Sequence, residues 1–138
     1  MAFELVWEPD GVIKQFSGQV SAREFIQAVE RVQGDSRFDE VRYIINDFSA
    51  MTGHELSDEI LTEAGVLQYG AYASNPNCRI VYVTADEGLI ALVRLNLATT
   101  SIDSYQTEIQ PTLLAARDWL DSQPQLHLMS NVMGFRIT

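Results

Sequence analysis

Cysteine occurs once, at position 78, so no internal disulfide can form. Cys78 heads an apolar stretch, where a small buried hydrophobe is expected rather than a reactive thiol. Basic residues are scarce: nine Lys and Arg stand against nineteen Asp and Glu, for a formal charge of -10. Such a field repels phosphate backbones and anionic lipid, so no nucleic acid and no membrane surface is expected as a partner. No run reaches the roughly 18 apolar residues that a membrane span needs. The opening MAFELVWEPD lacks the basic-then-apolar order of a secretory leader, and a cytoplasmic place is expected. With histidine only at 54 and 127, no metal site is expected. Glycine-rich phosphate loops and the G-x-S-x-G elbow are missing too, so no cofactor and no recognisable catalytic motif is read.

What remains is ordinary for a globular protein: 46% of the residues are apolar and 20% charged. The length suits one domain with a real core. The stretch VRYIINDFSAM, residues 41–51, reads as a central parallel strand that stops at Asn46-Asp47. Its polar end would form the carboxyl edge of the sheet, where α/β folds gather ligands and partners. Before it, Phe3, Leu5 and Trp7 alternate as a strand. Glu8-Pro9-Asp10-Gly11 turns the chain, and Val12 to Phe16 returns as a hairpin that Ser17-Gly18 closes.

Ser21 to Glu24 is a capping box for a first helix with Phe25, Ile26, Val29 and Val32 on one face, and Gly34 ends it. Ser49 to Leu56 reads as a loop, and Ser57 as the cap of a second helix. CRIVYVT, residues 78–84, is a second core strand, and Asp86 caps a third helix rich in leucine. Ser104 to Ile109 alternates as an edge strand, and Pro111 suits the first turn of a fourth helix. The expected order is β-β-α-β-α-β-α-β-α. It gives an α/β, single-domain, mostly parallel sheet of about five strands, with an N-terminal hairpin and about four helices. Residues 1–122 form this domain. Residues 123–138 are too apolar to be free and should pack on their own domain or on a partner chain.

The hairpin running into FSGQVSAREFIQAVE, the strand ending NDFSAM, the RIVYVT strand and the closing AARDWL resemble the SpoIIAA-like family over about residues 3–122. The resemblance implies a STAS-type fold, related in shape to the CRAL-TRIO lipid-binding domains. STAS proteins of the anti-anti-sigma type are switched by phosphorylation of a serine in an Asp-Ser-Ser-Gly motif before the second helix. Counted from Asp47-Phe48-Ser49, which is similar to the family's Asp-Leu-Ser, the phosphorylated position falls on Leu56, and the glycine has become Asp58. Ser57 survives, in a place where helix capping accounts for it. The resemblance therefore implies a STAS-like module without the phosphoserine switch.

The candidate surface is the edge loop and the helix that follows: Asp47, Phe48, Ser49, Thr52, His54, Glu55 and Ser57, with Tyr69 and Tyr72 further along. Three uses are open. The first is a non-catalytic protein-interaction or regulatory module, forming a homodimer through the third helix or the tail. The alternative is a carrier or sensor of a small apolar ligand or lipid, favoured by the surplus of leucine on the third helix. The least supported is a hydrolase on Ser49, His54 and Asp47, which requires the three side chains to meet.

Overall fold

The computed structural model describes residues 3–100 and 105–124. Strand β1 (Phe3–Trp7) turns at Glu8–Gly11 and pairs antiparallel with β2 (Gly11–Val20). Glu8 N–H closes the turn on the Gly11 carbonyl at 2.8 Å. Helix α1 (Ala22–Gln33) starts at the predicted capping box, in which Ser21 and Glu24 each satisfy the other's backbone amide. A 3-10 turn at Phe38–Glu40 leads into β3 (Tyr43–His54). Then follow α2 (Asp58–Tyr72), β4 (Arg79–Val83), α3 (Glu87–Thr99), β5 (Gln106–Gln110) and α4 (Leu113–Ser122). Asp86 caps α3 as expected, its carboxylate accepting from Leu89 N–H at 2.8 Å.

The strands lie in the order β1-β2-β3-β4-β5, with β3 in the middle. The sheet is mixed rather than mostly parallel: the hairpin pair is antiparallel, and the other three pairings are parallel. Residues of opposite parity serve opposite faces. Val12, Phe16, Ile44, Phe48, Ile80 and Tyr82 pack into the larger core with residues of α1, α2 and α3. Ile13, Ile45, Val81 and Val83 meet Ala116, Leu113, Trp119 and Leu120 of α4 on the other face. Arg117 of α4 is pinned to the hairpin by a two-point contact with Glu8 (2.6 and 3.1 Å), and Tyr43 OH donates to the same carboxylate.

Two boundaries differ from expectation, for one reason. Strand β2 does not close at Ser17-Gly18, and β3 does not stop at Asn46-Asp47. Both continue, and they pair with each other: Ser17 with Ala50, Gly18 with Met51, Gln19 with Gly53 and Val20 with His54. Gly18 supplies a φ of 66° at a register shift in this ribbon, a conformation that costs glycine little. The expected loop Ser49 to Leu56 is therefore mostly strand. Pro111 lies just outside α4, which Thr112 caps. Ser104 and the segment 125–138, with His127, lie outside the described residues.

Candidate functional site

The pairing of β3 with β4 ends at Asp47 opposite Val83, and the pairing of β1 with β2 ends at Phe3 opposite Phe16. Beyond those rows the sheet narrows to the two-stranded ribbon of residues 17–20 and 49–54. Along this overhang β3 has β2 on one side and no strand on the other among the described residues. Ser49, Ala50 and Thr52 are exposed on it, and the register skips Thr52 as a bulge.

The expected site residues divide between the interior and this overhang. Asp47 is not at a rim: it sits mid-strand and is only 8% exposed. It follows Ile45 by two residues and so points to the α4 face. There its Oδ1 accepts from Ser49 N–H at 3.0 Å and from Ser49 Oγ–H at 2.7 Å. With Glu4, Gln15 and Ser17 it lines a shallow cleft of about 490 Å³. Phe48 is core, not surface. Its ring stacks on Phe16 at 4.7 Å and on Tyr82 at 6.2 Å.

His54 ends the ribbon, with Nδ1 accepting from Leu56 N–H at 3.0 Å. The Ser49 hydroxyl donates to Asp47 and not to His54. At about 3.3 Å per strand residue, His54 lies some 16 Å along the strand from Ser49. The three side chains of the hydrolase reading are not brought together. Glu55 reaches back to the start of α1, accepting from Ala22 N–H at 3.3 Å, and Ser57 caps α2 through Ile60 N–H at 3.3 Å. Tyr72 packs on Tyr105 with ring centres 5.3 Å apart, while Tyr69 is 60% exposed. Among the expected residues, Ser49, Thr52, His54 and Glu55 share the overhang and its exit, with Ser57 just beyond.

Between α2 and α3 lies a crevice of about 180 Å³, lined by Leu61, Thr62, Gln68, Asn96 and Leu97 among others. Asn96 ties the two helices together, its Nδ2 donating to Asp58 Oδ1 and Thr62 Oγ1 at 2.9 Å each. The same helices also leave Val66, Tyr69, Leu95 and Leu97 exposed.

One buried group escaped the sequence reading. Lys14, in the run Val12-Ile13-Lys14-Gln15-Phe16, alternates onto the larger core and is 2% exposed. Its row continues through Asn46 and Tyr82, and the Asn46 Oδ1 atom has no hydrogen-bond partner among the described residues. Burial lowers the Lys14 pKa from 10.5 to about 7, and the Cys78 thiol, itself pushed up to about 12 by burial, opposes this only weakly. The signal was available: a lysine at an inward position of an alternating strand.

No family model matches the chain, and no curated protein matches it in sequence. Solved structures do match. The anti-sigma factor antagonist SpoIIAA in its unphosphorylated form superposes with a TM-score of 0.60 at 12% identity, over 88% of this chain and 100% of that one. An uncharacterized DUF3478-family protein with a SpoIIAA-like fold, from Shewanella loihica PV-4, gives 0.54 at 14% identity, over 86% and 92%. At such identities the likeness speaks to architecture. With its five-stranded mixed sheet and four helices, this chain has a SpoIIAA-like, STAS-type fold.

Proposed function

We propose that the chain is a non-catalytic, STAS-like protein-interaction module whose working surface is the β2–β3 overhang and the start of α2. The observation that carries this reading is the side of β3 that has no strand neighbour over residues 49–54 among the described residues, since an unpaired strand edge is a template for another chain. The SpoIIAA-like fold supports a regulatory use. No phosphoserine switch belongs to the proposal: Leu56 is buried, and the Ser57 hydroxyl is engaged as a helix cap. Affinity capture with the wild-type chain and a Met51→Glu/Thr52→Lys variant tests it. Partners held by the wild type should be lost from the variant, and an unchanged set of partners contradicts the reading.

Self-association belongs to the same proposal. Four of the large exposed hydrophobics, Val66, Tyr69, Leu95 and Leu97, lie on α2 and α3. Light scattering should give a dimer that a Leu95→Glu change dissociates; a wild-type monomer at 100 µM removes this part. An apolar-ligand carrier has less to rest on. The crevice between α2 and α3 is about 180 Å³, below the roughly 300–1,000 Å³ that encloses a drug-sized ligand, and the larger cleft of about 490 Å³ is shallow and lined by the polar Glu4, Gln15, Ser17, Asp47 and Ser49. Native mass spectrometry showing a co-purified lipid would reverse that order.

A further inference from the structure

The charge around the open side of β3 narrows the choice of partner. Helix α2 begins just past the carboxyl end of β3, where Glu55, Asp58 and Glu59 lie exposed; Asp86 and Glu87 begin α3, about 15 Å along that helix from Asn96, which holds Asp58. No lysine or arginine occurs from residue 43 to 78 or from 80 to 93. Arg79 starts β4 at the far end of that strand. Arg23, at the start of α1, is the basic residue beside this field: it lines a surface groove with Ile60 and Glu63 of α2, next to the Ala22 amide from which Glu55 accepts, and it offsets one of the carboxylates. The positive end of each helix opposes the carboxylates at its own start with only about half a charge.

Residues 49–54, SAMTGH, contain neither proline nor lysine to protect the exposed edge, and the bulge at Thr52 interrupts it. The small exposed residues Ser49, Ala50 and Thr52 leave room for a second backbone.

Resting on the reading of the overhang as the working surface, we infer that its partner presents an extended, lysine- and arginine-rich segment. That segment adds as a further strand along the open side of β3. Backbone hydrogen bonds hold it, and the acidic helix starts select its charge. The overhang spans about 20 Å at 3.3 Å per residue, room for a segment of about six residues.

The test uses the full chain, isotope-labelled, with acetyl-Lys-Val-Thr-Val-Lys-Val-Arg-amide as probe and the same pattern in glutamate as control. The basic peptide should slow amide exchange across residues 49–54 at least tenfold. Its affinity should fall about tenfold from 20 to 200 mM salt, and the acidic peptide should not bind. Thr52→Lys should weaken binding at least tenfold while leaving the spectrum of the free fold intact. A variant with Glu55→Gln, Asp58→Asn, Glu59→Gln, Asp86→Asn and Glu87→Gln keeps the helix caps and should flatten the salt dependence. Absence of binding at 1 mM, protection outside residues 49–54, or equal binding of the two peptides overturns the inference.

A benzophenone side chain at Thr52 separates this inference from the reading beneath it. Cross-linking to a lysine- and arginine-rich segment supports both. Cross-linking to a neutral or acidic segment overturns the basic strand and leaves the interaction module standing. Failure to cross-link any protein removes both.

Discussion

Replacing Lys14 by methionine should stabilise this fold, and the gain should depend on pH in one direction. Lys14 is buried among the apolar side chains of the larger core, and neither ion pair among the described residues involves it. Burial brings its pKa from 10.5 to about 7. At 1.36 kcal/mol per pH unit, that difference sets about 5 kcal/mol against the charged amine in the folded state. The amine is a base whose folded pKa is depressed, so between about 7 and 10.5 the unfolded chain binds more protons and stability rises with pH. Below about 7 both states carry the proton, and the whole penalty stands.

Methionine keeps the length of the stem and removes the charge. Lys14→Met should therefore gain about 3–5 kcal/mol at pH 6, and the gain should shrink toward zero as pH approaches 10.5. Urea unfolding followed by circular dichroism from pH 6 to 10 measures it as a shift in midpoint at constant slope. Taking wild type minus variant at each pH removes the titration of Tyr82 and Tyr105, which both chains share and which Lys14 does not influence. A variant less stable than wild type at pH 6, or a difference that stays flat with pH, would refute the reasoning.

Phe48→Ala opens a hole in the ring stack with Phe16 and Tyr82 and should cost about 3–5 kcal/mol in the same assay. A loss below 1 kcal/mol would place that ring outside the core. Arg117→Ala removes the main reason for the lowered pKa of Glu8, the Arg117 hydrogen bond, which burial opposes and Tyr43 assists. The folded pKa lies below the unfolded one, so the contact stabilises above the unfolded pKa and its contribution fades as pH falls through the folded value. Both partners are partly exposed, so the loss at pH 7 should be about 1 kcal/mol. The gap in urea midpoint between wild type and Arg117→Ala should narrow as pH falls below the ordinary carboxylate range, and a gap that does not change with pH contradicts the role given to Glu8.

Much of the fold was readable because local signals agreed with the tertiary outcome. The Ser21–Glu24 box, the Ser57 and Asp86 caps, the Glu8–Gly11 turn and the apolar run of β4 each specify their element with little help from elsewhere. The overhang was not readable, since residues 17–20 and 49–54 are rich in Ser, Gly and Ala and are weak strand formers alone. They become strands by pairing with each other across more than thirty positions of sequence. That one unseen pairing moved the site. Asp47 and Phe48, taken for a rim, became interior, and the open edge shifted to Ser49 through His54. Lys14 was missed because the strand was read from its apolar members.

Amide hydrogen exchange in the free chain tests the open edge most directly. Amides of residues 44–47, flanked by β2 and β4, should exchange slowly. Those of Ala50 to His54 should divide, slow where they face β2 and at least a hundredfold faster where they face outward. Uniform protection from residue 44 through residue 54 would mean that the outer side of β3 is already occupied, and the proposed working surface would not exist.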